Sequence, residues 1–179
     1  TLDGVCGDAL RVAEALGRAE AGRALVAALR ARLAAVHEAL KAARAPRPRV
    51  AVVEWTSPVF PAGHWGPEMV RRAGGADVLG TAGAHSAAVP LAALAAADPE
   101  VVLVVPCGYD LPRAAAEAQA LLADPAWAWL AGRQVWALDA NAYLSRPGPR
   151  LVDGVEILAR VFHPQLFGAP APHQARRHA

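Results

Sequence analysis

At 179 residues, with 55% hydrophobic and 19% charged residues, the chain is long enough for one domain with a real core and too apolar to be disordered. A net charge of +2 gives no electrostatic case for nucleic acid as a partner. No apolar run reaches membrane-spanning length, and no signal peptide is visible within these residues.

Val5, Ala9, Val12 and Leu16 recur at helical spacing, and Gly17 supplies a stop. A longer helix follows with Leu25, Leu29, Leu33, Val36 and Leu40 on one face and charge on the others, ended by Ala45-Pro46-Arg47-Pro48. The texture then changes. Val50 to Trp55 reads as a short apolar strand. Trp55 to Pro67 reads as a loop, and Pro67 to Ala73 as a short helix with proline in its first turn. A loop from Gly80 to Ser86 leads to a helix over about Val89 to Ala97. Val101 to Val105 is β-branched and apolar throughout, as buried parallel strands are. A helix over Leu111 to Leu122, a strand over Gln134 to Leu138 and an amphipathic helix from Arg150 to Val161 complete the pattern. The alternation predicts a Rossmann-like, three-layer α/β lobe with a mostly parallel sheet, preceded by a long helix. The segment from Pro164 reads as a poorly ordered tail. Cys6 and Cys107 read as small buried thiols rather than a disulfide.

Ligands of open α/β sheets sit beyond the carboxyl ends of the strands. Three loops leave such ends, and each sets an aromatic beside polar groups. The first holds Trp55, Phe60, His64 and Trp65; the second Cys107, Tyr109 and Asp110; the third Asn141, Tyr143 and Arg146. In the third, Pro147, Gly148 and Pro149 stiffen the chain. Such an edge suits a large, flat, amide-rich ligand. Trp127, Trp129 and Trp136 are assigned to the core. Arg150 opens a helix, where the dipole disfavours a cation, so Asp153 is expected as its partner. His64, His85, Asp110 and Glu54 have the ligand types of a transition-metal site, but hydrogen-bonding or solvated histidines account for them more simply. No phosphate loop, HExxH, CxxC or nucleophile elbow is present, so catalysis has no motif behind it and a binding role is expected.

The residues also carry a resemblance. Glu54-Trp55, Pro58, Ala62-Gly63-His64-Trp65, Pro67-Glu68-Met69-Val70, Ala73-Gly74-Gly75, Asp98-Pro99-Glu100, Pro106-Cys107-Gly108-Tyr109-Asp110 and Asn141 to Gly154 occur in one order. As a set they resemble cobalamin-binding proteins among the class III periplasmic-type binding proteins, which serve transporters of cobalamin, haem and ferric siderophores. The resemblance implies two α/β lobes joined by a long helix, with the ligand in the cleft. On that plan residues 1–17 end an N-terminal lobe that is otherwise outside the chain, and 18–46 form the connector. Residues 47–164 form the C-terminal lobe, and 165–179 a flexible tail. The resemblance further implies cobalamin as ligand rather than cofactor, with haem or a ferric siderophore as the alternative and a hydrolytic or metal-dependent enzyme as the distant one. It implies contacts from Trp55, Phe60, His64, Trp65, Ser86, Tyr109, Asn141, Tyr143 and Arg146, although relatives carry a tryptophan near Ser86. An ABC-transporter permease is the implied partner. A periplasmic or other extracytoplasmic place is implied, with an intracellular cobalamin-handling role as the alternative.

Overall fold

The computed structural model describes residues 1–179. It opens with two helices, α1 (Leu2–Ala15) and α2 (Ala19–Ala42), followed by β1 (Arg49–Thr56), β2 (Val59–Pro61), α3 (Gly66–Arg72) and β3 (Ala76–Asp77). Then come α4 (Leu91–Ala96), β4 (Val101–Val104), α5 (Leu111–Ala123), a 3-10 segment Pro125–Leu130 and β5 (Gln134–Leu138). The chain ends with α6 (Ala140–Tyr143), α7 (Arg150–Phe162), α8 (Pro164–Phe167) and β6 (Ala175–Arg177). The sheet runs β2-β1-β4-β5-β6, with β3 beside the start of β1. β1, β3, β4 and β5 are parallel, while β2 and β6 are antiparallel at the edges.

Side-chain alternation along these apolar strands builds two cores, one on each face of the sheet. Val50, Val52, Val101, Leu103 and Leu138 face the layer of α2, α3 and α7. Ala51, Val53, Val102, Val104, Val135 and Ala137 face α4 and α5. The three-layer α/β lobe with a long helix ahead of it is therefore the observed architecture.

The long helix docks by the expected stripe except at its start, where Val26 takes the place of Leu25. Val26, Leu29, Leu33 and Val36 are buried, whereas Leu25 is 42% exposed. Steps of three and four from Val26 keep one face on the sheet, and Leu25 falls on the neighbouring face toward α1. Polar contacts fix the docking. Arg32 Nε reaches Glu156 Oε1 at 2.8 Å, and its Nη2 reaches Asp153 Oδ1 at 2.5 Å and Glu156 Oε2 at 2.7 Å. Asp153 thus pairs with Arg32 and not with Arg150, which stays exposed. An arginine fork that spans two carboxylates one helical turn apart explains that choice. On α1 the Leu2 amide donates to Glu68 Oε2 at 2.9 Å. Arg72 shares that carboxylate, and together they hold its pKa below the ordinary value against the cost of burial.

Four other expectations need correction. The tail is ordered at its end: β6 pairs with β5, Ala175 is buried, and Val135 donates to the Ala179 carbonyl. An otherwise open edge of β5 finds a partner there. Trp55 and Phe60 lie opposite each other in the β1–β2 hairpin rather than in a loop. Asn141 and Tyr143 sit in one turn of helix, α6, capped by the Asp139 carboxylate accepting from the Ala142 amide at 2.8 Å. Cys6 is buried, but Cys107 is exposed where the chain leaves the core, and both are free thiols.

Candidate ligand-binding site

Because β1, β4 and β5 run parallel, their carboxyl ends share one edge, and the loops that leave them converge on a hollow of about 300 Å³. Glu54 and Val105 lie at its base, at the ends of β1 and β4. His64 and Trp65 come from the β2–α3 connection, and Leu144 and Ser145 from the segment after α6. Ser86 closes the side formed by the chain between β3 and α4, and Cys107 stands at the end of β4.

Backbone contacts hold this wall together. The His64 amide donates to the Ala84 carbonyl at 2.6 Å, and Gly83 donates back to the His64 carbonyl at 2.7 Å. A Cβ on Gly63 would lie 2.7 Å from Ser86 Oγ and 2.8 Å from the Ala84 carbonyl oxygen, so the Ser86 segment crosses at a distance only glycine allows. His64 sits at φ +51°, a left-handed turn that sends the chain back over the sheet. Trp65 Nε1 donates to the Leu144 carbonyl at 2.7 Å, which ties the first loop to the third. The Gly108 amide donates to Ser145 Oγ at 3.1 Å and the Asn141 amide to the Tyr109 carbonyl at 2.9 Å, which tie the second loop to the third.

Glu54 is the charged group of the base. Its Oε2 accepts from the Ser86 hydroxyl at 2.7 Å. Burial pushes its carboxyl above the ordinary value, while Ser86, the nearby His64 and the Gly63 amide pull it back. Asp77 adds like charge; its own carboxyl is also pushed up by burial, against the Gly80 and Leu79 amides that donate to it. The histidine rings of His64 and His85 meet edge to face with centroids 5.0 Å apart. No group of three or more His, Cys, Asp or Glu residues is placed to hold a metal ion.

The predicted residues form three groups, with Phe60 and Tyr143 apart from them. His64, Trp65 and Ser86 line the hollow. Trp55 and Tyr109 form a separate aromatic shelf, their rings 5.9 Å apart at 74°, with the Arg113 guanidinium 4.0 Å over the Tyr109 ring. Trp55 is 40% exposed there, and Phe60 is half-buried in β2, outside the hollow. Asn141 and Arg146 are bound to each other, Arg146 Nε donating to Asn141 Oδ1 at 3.0 Å, one residue past Ser145. Tyr143 packs half-buried against the core and does not line the hollow, whereas Leu144 and Ser145 do. Glu54 carries a signal of its own in the sequence, as the one acidic residue in an apolar strand. A larger hollow of about 460 Å³ lies among α1, α2 and α3, lined by Leu2, Cys6, Leu33, His37 and Arg72, away from the strand ends.

This fold, with a ligand-sized hollow at its strand ends and a long helix packed across one face, has known counterparts. The chain belongs to the periplasmic binding protein family, whose model matches residues 1–139. All of it is similar to a periplasmic haem-binding protein from Pseudomonas aeruginosa, at 25% identity and a TM-score of 0.78 over 66% of that chain. A periplasmic haem-binding protein solved in complex with two haems is 31% identical, with a TM-score of 0.70 over 93% of this chain and 64% of that one. The periplasmic vitamin B12 binding protein of Vibrio cholerae shares the fold, at 22% identity and a TM-score of 0.66 over 90% of this chain and 61% of that one. The chain therefore spans less than two thirds of the length of each of these proteins. Among curated proteins none matches it.

Proposed function

We propose that this chain is the C-terminal lobe and connector helix of a cobalamin-binding protein, which holds its ligand between the strand-end edge described above and an N-terminal lobe. In this reading the protein serves an ABC-type uptake system outside the cytoplasm, delivers its ligand to a permease and catalyses nothing. The observation that carries it is the convergence of three strand-end loops on one hollow whose wall alternates apolar surface (Trp65, Val105, Leu144) with hydrogen-bonding groups (Glu54, Ser86, Ser145). A corrin presents broad apolar faces rimmed by amides, and both kinds of surface are needed to hold it. The Trp55–Tyr109 shelf would extend the apolar contact, and the Asn141–Arg146 pair would meet amides at the rim. Haem is the second reading, supported by the two haem-binding proteins of 25% and 31% identity.

Equilibrium titration of the full-length protein with cobalamin, haem and a ferric siderophore tests the proposal. Tight one-to-one binding of cobalamin, weaker for the other two, is the expected result. Preference for haem or the siderophore, or turnover of a substrate without a tight ligand, would overturn it.

A further inference from the structure

The hollow carries a charge pattern that discriminates between planar ligands of similar size. Its base holds one carboxylate, Glu54, positioned by the Ser86 hydroxyl at 2.7 Å, and no lysine or arginine lines it. Of the arginines on these loops, Arg146 Nε donates to the Asn141 side chain and the Arg113 guanidinium lies over the Tyr109 ring. Asp77 lies near enough for its charge to act on Glu54, and His64, which lines the hollow, acts on it in the opposite sense. A partly buried carboxylate offers about four acceptor positions, of which Ser86 occupies one. A ligand amide can donate to the others, forming a hydrogen bond strengthened by the full charge. A ligand carboxylate there would meet the like charge of Glu54 where screening by water is reduced, with His64 the only basic side chain lining the hollow.

We infer that Glu54 determines ligand specificity in this hollow, accepting hydrogen bonds from amide side chains of a tetrapyrrole and disfavouring carboxylate side chains in the same position. The inference rests on the reading of this edge as a tetrapyrrole site, and it names what the site selects: an amide-rimmed macrocycle over one that bears free propionates. Ser86 is a positioning residue in this scheme, because it fixes the Glu54 carboxylate and contributes no charge.

Two pairs of probes separate the claims. One pair is cyanocobalamin and its derivative with a single side-chain amide hydrolysed to the acid. The other is haem and haem with both propionates converted to amides. Full-length wild-type protein, Glu54→Gln and Ser86→Ala are titrated with each, and the readout is the ratio of Kd values within a pair. The amide member should bind at least about tenfold more tightly to the wild type, the worth of one charge-assisted hydrogen bond. Glu54→Gln should bring that ratio to near one, while Ser86→Ala keeps it. An unchanged ratio in Glu54→Gln overturns the inference. So does an equal collapse in Ser86→Ala, which would mean that Glu54 only props the Ser86 segment. Binding of the haem pair without either corrinoid would overturn the cobalamin reading, and the haem ratio would still decide the role of Glu54. Failure to bind all four probes overturns the tetrapyrrole reading and the inference with it.

Discussion

Gly154 links the core to the candidate site, and replacing it by alanine is the most exacting test of how the two are joined. The residue lies inside α7, where glycine is a poor helix former and alanine would be about 1 kcal/mol better. Packing opposes that gain. A Cβ at this position would press into the Tyr143 carbonyl oxygen and lie 2.6 Å from Met69 Cε. Met69 can move, being the end of a flexible side chain, but the Tyr143 carbonyl belongs to the backbone of α6. Overpacking of this kind costs about 1–3 kcal/mol, and the backbone contact puts it toward the upper end. The net expectation is a loss of about 1–2 kcal/mol, read from the urea midpoint at constant m. Relief of the clash must push the chain after Tyr143 outward, and that chain includes the Leu144 carbonyl that accepts from Trp65. Ligand affinity should therefore fall together with stability. Gly148→Ala is the control, since nothing lies within 4 Å of a Cβ there; it should be neutral or slightly stabilising. Stability of Gly154→Ala at or above wild type would refute the close approach of α7 to this segment.

Tyr143→Ala should cost about 2 kcal/mol of stability, because the ring packs on the core, whereas Arg146→Ala should leave the unfolding midpoint unchanged and weaken ligand binding by about 1–3 kcal/mol. Denaturation and titration of both variants check this, and the reverse pattern would return Tyr143 to the site. His163 is fully buried, with Nε2 3.3 Å from the Gly74 carbonyl oxygen and Nδ1 without a partner, and burial holds its pKa below the ordinary value near 6.5 despite that carbonyl. A depressed folded-state pKa gives stability that is complete above about pH 6.5 and lost as pH falls toward the folded value. The stability difference between wild type and His163→Phe should therefore shrink between about pH 7 and pH 5, measured by denaturation at each pH; a flat difference would contradict it.

The layers of this fold were legible because its strands are apolar on both faces and its helices are striped at 3.6-residue spacing. Val101 to Val104 and Gln134 to Leu138 lie where their side chains predict. What escaped was set by distant partners. Ala175–Arg177 has no strand signal of its own and becomes one because β5 has a free edge. Asp153 sits three residues after Arg150, the natural helical pairing, yet a fork from α2 takes it. In the site, His64 and Trp65 from the first loop and Cys107 from the second line one hollow, and Ser86 joins them. Trp55 and Tyr109 instead meet each other on a shelf, because the β1–β2 hairpin carries Trp55 away from the hollow. Glu54 was visible as a possible metal ligand and not as the carboxylate of a binding hollow. Its place beneath Ser86 depends on Gly63 letting two backbone segments cross, which no spacing rule encodes.

The central claim is that the ligand sits at this strand-end edge, and amide hydrogen exchange of the full-length protein with and without cobalamin tests it directly. The claim predicts slower exchange on binding at 63–66, 83–86, 107–109 and 141–146, where loop amides already hold the wall together, with the core amides of β4 slow in both states. Protection confined to the hollow among α1, α2 and α3, or absent from these loops while cobalamin is bound, would contradict it.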